Sequence, residues 1–209
     1  MINLIERPMK KMSAIDRLLL LLTGLLAAYQ IAIGVEGAPP VSLWAYSVGF
    51  GILLLAGIML IILGFEGLDS SLVAIVTTML PLALSLGLVW DHLPAWRIPY
   101  LAFVVVGFAA VALTRVIRAG RAATITLAVV HGVAGLIIFG LPIYLSLTGT
   151  TPPGFALVGI GGALIGVGGL MLSFLRMGKP ILSQSTILTI LPALLFLMMA
   201  AFVAGFAYS

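Results

Sequence analysis

Cysteine is absent from the sequence, and Asp, Glu, Lys and Arg together make up only 8% of it. The first absence removes disulfides, thiolate metal sites and thiol nucleophiles. The second is incompatible with an ordinary water-soluble domain, in which roughly a quarter of the residues carry charge. Histidine occurs twice, at His92 and His131, and no long apolar run contains Asp, Glu or Lys. A buried metal site therefore has almost no ligands to draw on. A bis-His haem would need two histidines at one depth, and a retinal Schiff base would need a lysine inside a span. Gly-rich phosphate loops, nucleophile elbows and paired carboxylates are missing too. The expectation is a protein that is not an enzyme and uses neither metal nor cofactor.

What is present is apolar length. Hydrophobic residues account for 63% of the chain and the mean hydropathy is +1.32. A helix needs roughly 17–25 apolar residues to cross a hydrocarbon core about 30 Å thick. Seven runs qualify: Leu18–Val35, Val41–Phe65, Ser70–Trp90, Ile98–Val116, Ala122–Leu147, Phe155–Phe174 and Ile181–Ala207. None shows period-2 alternation, so the backbone satisfies itself in lipid as helices and not as barrel strands. The basic "RPMKK" ahead of the first run is reminiscent of a signal peptide, but no small-x-small cleavage site follows, and the run is read as a helix. The fold class is an all-α integral membrane protein with seven transmembrane helices in a single domain over residues 1–209.

Lys and Arg in short loops are held on the cytoplasmic side and set orientation. With seven spans, Arg7, Lys10, Lys11, Arg17, Arg115, Arg118, Arg121, Arg176 and Lys179 fall on one side and only Arg97 on the other. The expected placement is the cytoplasmic (inner) membrane, with the N-terminus cytoplasmic and the C-terminus external. Topology accounts for the basic pI, so nucleic acid is not expected as a partner, whereas anionic lipid headgroups are.

The chain also repeats itself. "GAPPVSLWAYSVGFG" lies against "TTPPGFALVGIGGAL" with the double prolines 113 residues apart, and Pro81 meets Pro192 at a spacing of 111. Helices one to three (18–90) then correspond to helices five to seven (122–207), with helix four (98–116) as connector. Three helices plus one connector bring the second unit back in the same orientation, giving parallel repeats about an axis along the membrane normal. This 3+1+3 layout is similar to that of SWEET-type sugar transporters and some vitamin-precursor transporters. None of their motifs occurs here, so the likeness implies an architecture and no substrate.

Several residues are candidates for function, each beside a plainer role. Pro81 and Pro192 fall about mid-helix, where each frees a backbone carbonyl; they are hinges for alternating access or static kinks. Thr77 and Thr78 near the first, and Thr186 and Thr189 near the second, can bond those carbonyls. His131, near the midplane of the fifth run, is a candidate for solute or proton handling or a structural hydrogen bond. Tyr29, Gln30, Tyr144, Gln184 and Ser185 could border a path for an uncharged polar solute or hold helices together. Asp91, His92 and Arg97 in "WDHLPAWR" are expected to form a small external cluster in a Trp belt. Glu66, Asp69 and Ser70 read as the cap of the third helix. Gly162 and Gly166 have the spacing that brings helix backbones close.

Two readings of function follow. In the first, a small, weakly polar solute passes between the two repeats, with Tyr29, Thr77, Thr78, His131 and Thr189 expected around one central path. In the second, the chain is a non-catalytic subunit of a larger membrane assembly, packing through its Gly-rich helix against copies of itself or other subunits.

Overall fold

The computed structural model describes residues 11–69, 71–117, 119–176 and 181–209, and among these every regular element is helical. Helix α1 (Ala14–Ile33) begins at Ala14 and not at Leu18, because Ser13 and Asp16 build a capping box. The Asp16 N–H donates to Ser13 Oγ at 3.1 Å and the Ser13 N–H to Asp16 Oδ2 at 2.9 Å. Two donors that the helix start would leave unpaired are thereby satisfied. At its other end α1 stops on Gly34, whose φ of 68° lies in the left-handed region that glycine enters freely.

The double prolines perform the same task twice. Pro39 is the N-cap and Pro40 the first residue of α2 (Pro40–Leu63). Pro152 caps a 3-10 turn, Pro153–Phe155, that runs straight into α6 (Ala156–Arg176). A proline at the first helical position loses nothing, since its missing N–H would have had no partner there. Helix α3 (Ser71–His92) follows a 3-10 turn over Gly64–Asp69, and the expected cap at Ser70 lies outside the described residues. A second 3-10 turn, Pro94–Trp96, leads into α4 (Arg97–Val116), followed by α5 (Arg121–Leu147). The last helix, α7 (Gln184–Phe206), is capped by Ser183, which accepts from the Thr186 N–H at 3.1 Å.

All seven α-helices are long and apolar enough to cross a membrane. Large apolar side chains such as Leu25, Ile62, Val106, Leu136 and Leu170 coat the outside of the bundle. In water such a coat would drive aggregation; in lipid it meets its own kind. The chain is a polytopic membrane protein with a seven-helix bundle.

Two ends of the bundle can be distinguished. The turns at 34–39, 93–96 and 148–153 share what we call the proline end, and Lys11, Arg17, Arg115 and Arg121 mark the basic end. Of the other cations expected there, Arg7, Lys10, Arg118 and Lys179 lie outside the described residues.

Packing follows a simple order. Helix α1 lies against α2 and α7, α2 against α3, α3 against α5, α5 against α6, and α6 against α7. Six helices thus close a ring, and α4 stands outside it, on the seam between α3 and α5. Leu82 of α3, Val111 of α4, and Val130 and Ala134 of α5 form the small cluster that holds α4 in place. The main core fills the ring, with Phe50, Leu84, Leu88, Ile138, Phe155, Met198 and Phe202 almost fully buried. Helix association in lipid depends on close packing, and small residues permit it. A Cβ on Gly49 would meet Leu84 at 2.9 Å, and one on Gly161 would meet Phe202 at 2.8 Å.

Candidate functional site: the aromatic closure at the proline end

Glycine at position 87 sets the geometry of the proline end. The Tyr46 ring of α2 occupies the space a side chain on Gly87 would take, so α2 and α3 approach closely there. With the ring so held, one helical turn further along α3 the Tyr46 hydroxyl donates to Asp91 Oδ2 at 2.7 Å. The other carboxylate oxygen, Oδ1, is buried and has no hydrogen-bond partner among the described residues.

The expected cluster of Asp91, His92 and Arg97 takes another form. Arg97 turns away from the carboxylate: its Nε–H donates to the Trp90 carbonyl at 2.6 Å, and its guanidinium lies 5.8 Å from the centre of the Trp90 ring. Asp91 engages a tyrosine, and His92 a phenylalanine. The His92 and Phe155 ring centres are 5.2 Å apart, those of Phe155 and Phe206 6.2 Å, and those of Phe206 and Tyr46 4.8 Å. Phe50 adds two edge-on contacts, with Phe202 at 6.1 Å and Phe206 at 5.9 Å. Such tilted and edge-to-face arrangements suit the quadrupoles of the rings. Rings from α2, α3, α7 and the 3-10 turn before α6 therefore pack together at this end of the bundle.

The candidate path residues are distributed differently from expectation. Tyr29 is 52% exposed on the outer surface of α1. Thr189 is exposed on α7, with its hydroxyl donating to the Ser185 carbonyl at 2.7 Å. Thr78 is completely buried, while Thr77 and His131 are half-buried on α3 and α5. Tyr29, Thr78, His131 and Thr189 thus do not line one central space: two face outward. Tyr144 is also exposed, whereas Gln30 is buried and its amide donates to the Gly34 carbonyl at 2.6 Å, tying off the end of α1. Pro81 and Pro192 are both buried within their helices. Gly162 sits where a Cβ would strike the Ile138 backbone at 2.8 Å, while one on Gly166 would meet nothing described within 4 Å.

Pro81 has a neighbour that sequence reading missed. Ser85 Oγ donates to the Pro81 carbonyl at 2.6 Å and accepts from the Tyr100 hydroxyl at 2.8 Å, so a buried polar link joins α3 to α4 beside the proline. The sequence grouped Asp91 with Arg97 because it follows Trp90 at the edge of the apolar run, and its pairing with Tyr46 was missed. The available signal was its four-residue spacing from Gly87 on one helix face. Among the described residues no three His, Asp or Glu side chains stand together as metal ligands.

The Ser85 link allows an asymmetric prediction. Tyr100→Phe removes a hydroxyl and leaves Ser85 its own bond, so it is expected to cost about 1 kcal/mol or less. Ser85→Ala strands the Tyr100 hydroxyl in an apolar site and is expected to cost more, about 1–3 kcal/mol. Thermal unfolding of the two variants in detergent gives the order.

Gly168, Met171, Ile187, Ile190, Leu191 and Leu194 line a shallow apolar groove between α6 and α7. Comparison of the chain with protein-family models, curated proteins and solved structures finds no match.

Proposed function

We propose that the chain passes a small, weakly polar solute across the cytoplasmic membrane between two equivalent three-helix units, and that the conformation described is a closed one. The packing order carries this reading. Helix α3 stands between α2 and α5, as α7 stands between α6 and α1, which is the relation two parallel units about a common axis would produce. Each of these two helices holds a buried proline near its middle, Pro81 in α3 and Pro192 in α7. Paired weak points at matching positions suit a bundle whose halves tilt against each other. The aromatic rings at the proline end then act as the closed gate, and the path residues are the buried Thr78 and the gate itself, not Tyr29 or Thr189. The excess of Lys and Arg at the basic end supports a cytoplasmic N-terminus and an external proline end.

Reconstitution in liposomes tests this. Glycerol or urea flux, followed by light scattering after an osmotic step, is expected to exceed that of protein-free vesicles. Pro81→Ala and Pro192→Ala are each expected to slow it while leaving the purified protein monodisperse. Flux at the protein-free level for every neutral solute tried would remove this reading.

One observation favours the alternative, a subunit of a membrane assembly. Cβ atoms added at Gly132, Gly135, Gly140 and Gly166 would meet nothing described within 4 Å, so small residues of α5 and α6 face outward where another helix could approach. Native mass spectrometry of the gently extracted protein separates the readings by whether unrelated chains accompany it.

A further inference from the structure

The carboxylate of Asp91 keeps one buried oxygen that no described residue satisfies. Its Oδ2 accepts from Tyr46, but Oδ1 is buried without a partner among the described residues. A buried carboxylate oxygen left unpaired is costly, and an opposite charge is the usual remedy. Arg97 is the one Lys or Arg beside the turns of the proline end, and it is committed to the Trp90 carbonyl and ring. No ordinary salt bridge reaches Asp91 among the described residues.

The surroundings restrict what the missing charge can be. From Tyr46 the rings follow one another through Phe206 and Phe155 to His92, the chain neighbour of Asp91, so a series of aromatic groups starts and ends at this carboxylate. A hard metal ion would want six or more oxygens, and here it would find the Asp91 carboxylate and the Tyr46 hydroxyl, with no cluster of three His, Asp or Glu among the described residues. A single carboxylate next to a run of aromatic rings suits an organic ammonium group, whose N–H bonds satisfy the oxygen while its charge and methyl groups meet ring surface.

We infer that Asp91, whose partner Tyr46 begins a run of rings through Phe206 and Phe155 to His92, binds a small alkylammonium cation entering from the proline end. Asp91 and His92 are half-buried at the last turn of α3, next to the exposed turn Pro94–Trp96, and that is the side from which a cation would reach them. The site takes up the cation without any covalent step, and its occupancy does not depend on whether a solute crosses the bundle.

Isothermal titration of the detergent-purified full chain with methylammonium chloride tests this, with sodium chloride at equal ionic strength as the reference. Saturable heat is expected with methylammonium alone. Asp91→Asn is expected to weaken binding at least about tenfold, and Phe155→Leu, which keeps the carboxylate and loses a ring, several-fold. Glu36→Gln, at an exposed acid of the same end, is expected to leave binding unchanged. Should Asp91→Asn fail to fold, carbodiimide labelling of Asp91 in the unaltered protein gives the same answer: methylammonium slows it and sodium does not. Equal response to the two salts, binding that survives Asp91→Asn, or insensitivity to Phe155→Leu would overturn the inference. Methylammonium binding without glycerol or urea flux would count against passage alone, and flux without methylammonium binding against this site alone.

Discussion

Gly162→Leu is expected to disrupt the bundle, while Gly166→Leu, one turn along the same helix, leaves it folded. A Cβ at 162 meets the carbonyl carbon and oxygen of Ile138 at 2.8 and 2.9 Å, and these are backbone atoms that no rotamer change can move aside. The α5–α6 crossing must open, at a cost of about 3 kcal/mol or more and a fall in unfolding midpoint on the order of 10 °C. At 166 the added atoms enter space that no described residue fills. Thermal unfolding in detergent with size-exclusion chromatography measures both. If Gly166→Leu alters the size of the native species at unchanged unfolding midpoint, the outward small face is an interface, which favours the subunit reading.

Phe202→Ala is expected to have the second large effect. The ring is 1% exposed, lies edge-on to Phe50 with centres 6.1 Å apart, and covers Gly161. Removing a buried phenylalanine side chain costs about 3–5 kcal/mol, part of it for the cavity left behind. The same cavity opens the centre of the ring beneath the gate. If the bundle passes solute, the variant should be less stable to heat and yet faster in glycerol flux. Loss of stability with no gain in flux would mean that the closure is packing and not a gate.

Much of the fold was legible because lipid makes length and punctuation decisive. Runs of about twenty apolar residues have no alternative to helix in a membrane, and "GAPP" and "TTPP" start α2 and the turn into α6 because a proline at the first helical position gives up no hydrogen bond. The candidate path was less legible, for a reason visible at Thr189. Its hydroxyl bonds the Ser185 carbonyl of its own helix, as Thr23 bonds Leu19 and Thr114 bonds Ala110. A threonine that satisfies itself can face lipid, so a polar letter in a span says little about which way it points. Tyr29 was misread for a related cause: near a helix end an amphipathic ring can lie outward, toward the headgroups. Gly162 and Gly166 look alike in sequence, yet only the crossing with α5, close at Ile138, distinguishes them. Asp91 demanded knowledge of a long-range neighbour, since only Tyr46 across Gly87 turns a loop-edge acid into one with a buried, hydrogen-bonded carboxylate.

The contact between α1 and α7 has a consequence for how the protein is made. Helix α1 leaves the ribosome six helices before the partner it packs on, and that partner completes the ring. In the interval at least one flank of α1 has only lipid or a chaperone as company. The buried Thr23 hydroxyl and Gln30 amide N–H already bond Leu19 and Gly34 within α1 and its cap, so they need no α7 for those bonds. A nascent chain halted before α7 would therefore hold its helices inserted but its circle open, and a quality-control protease would find in that gap a substrate that the finished protein no longer presents.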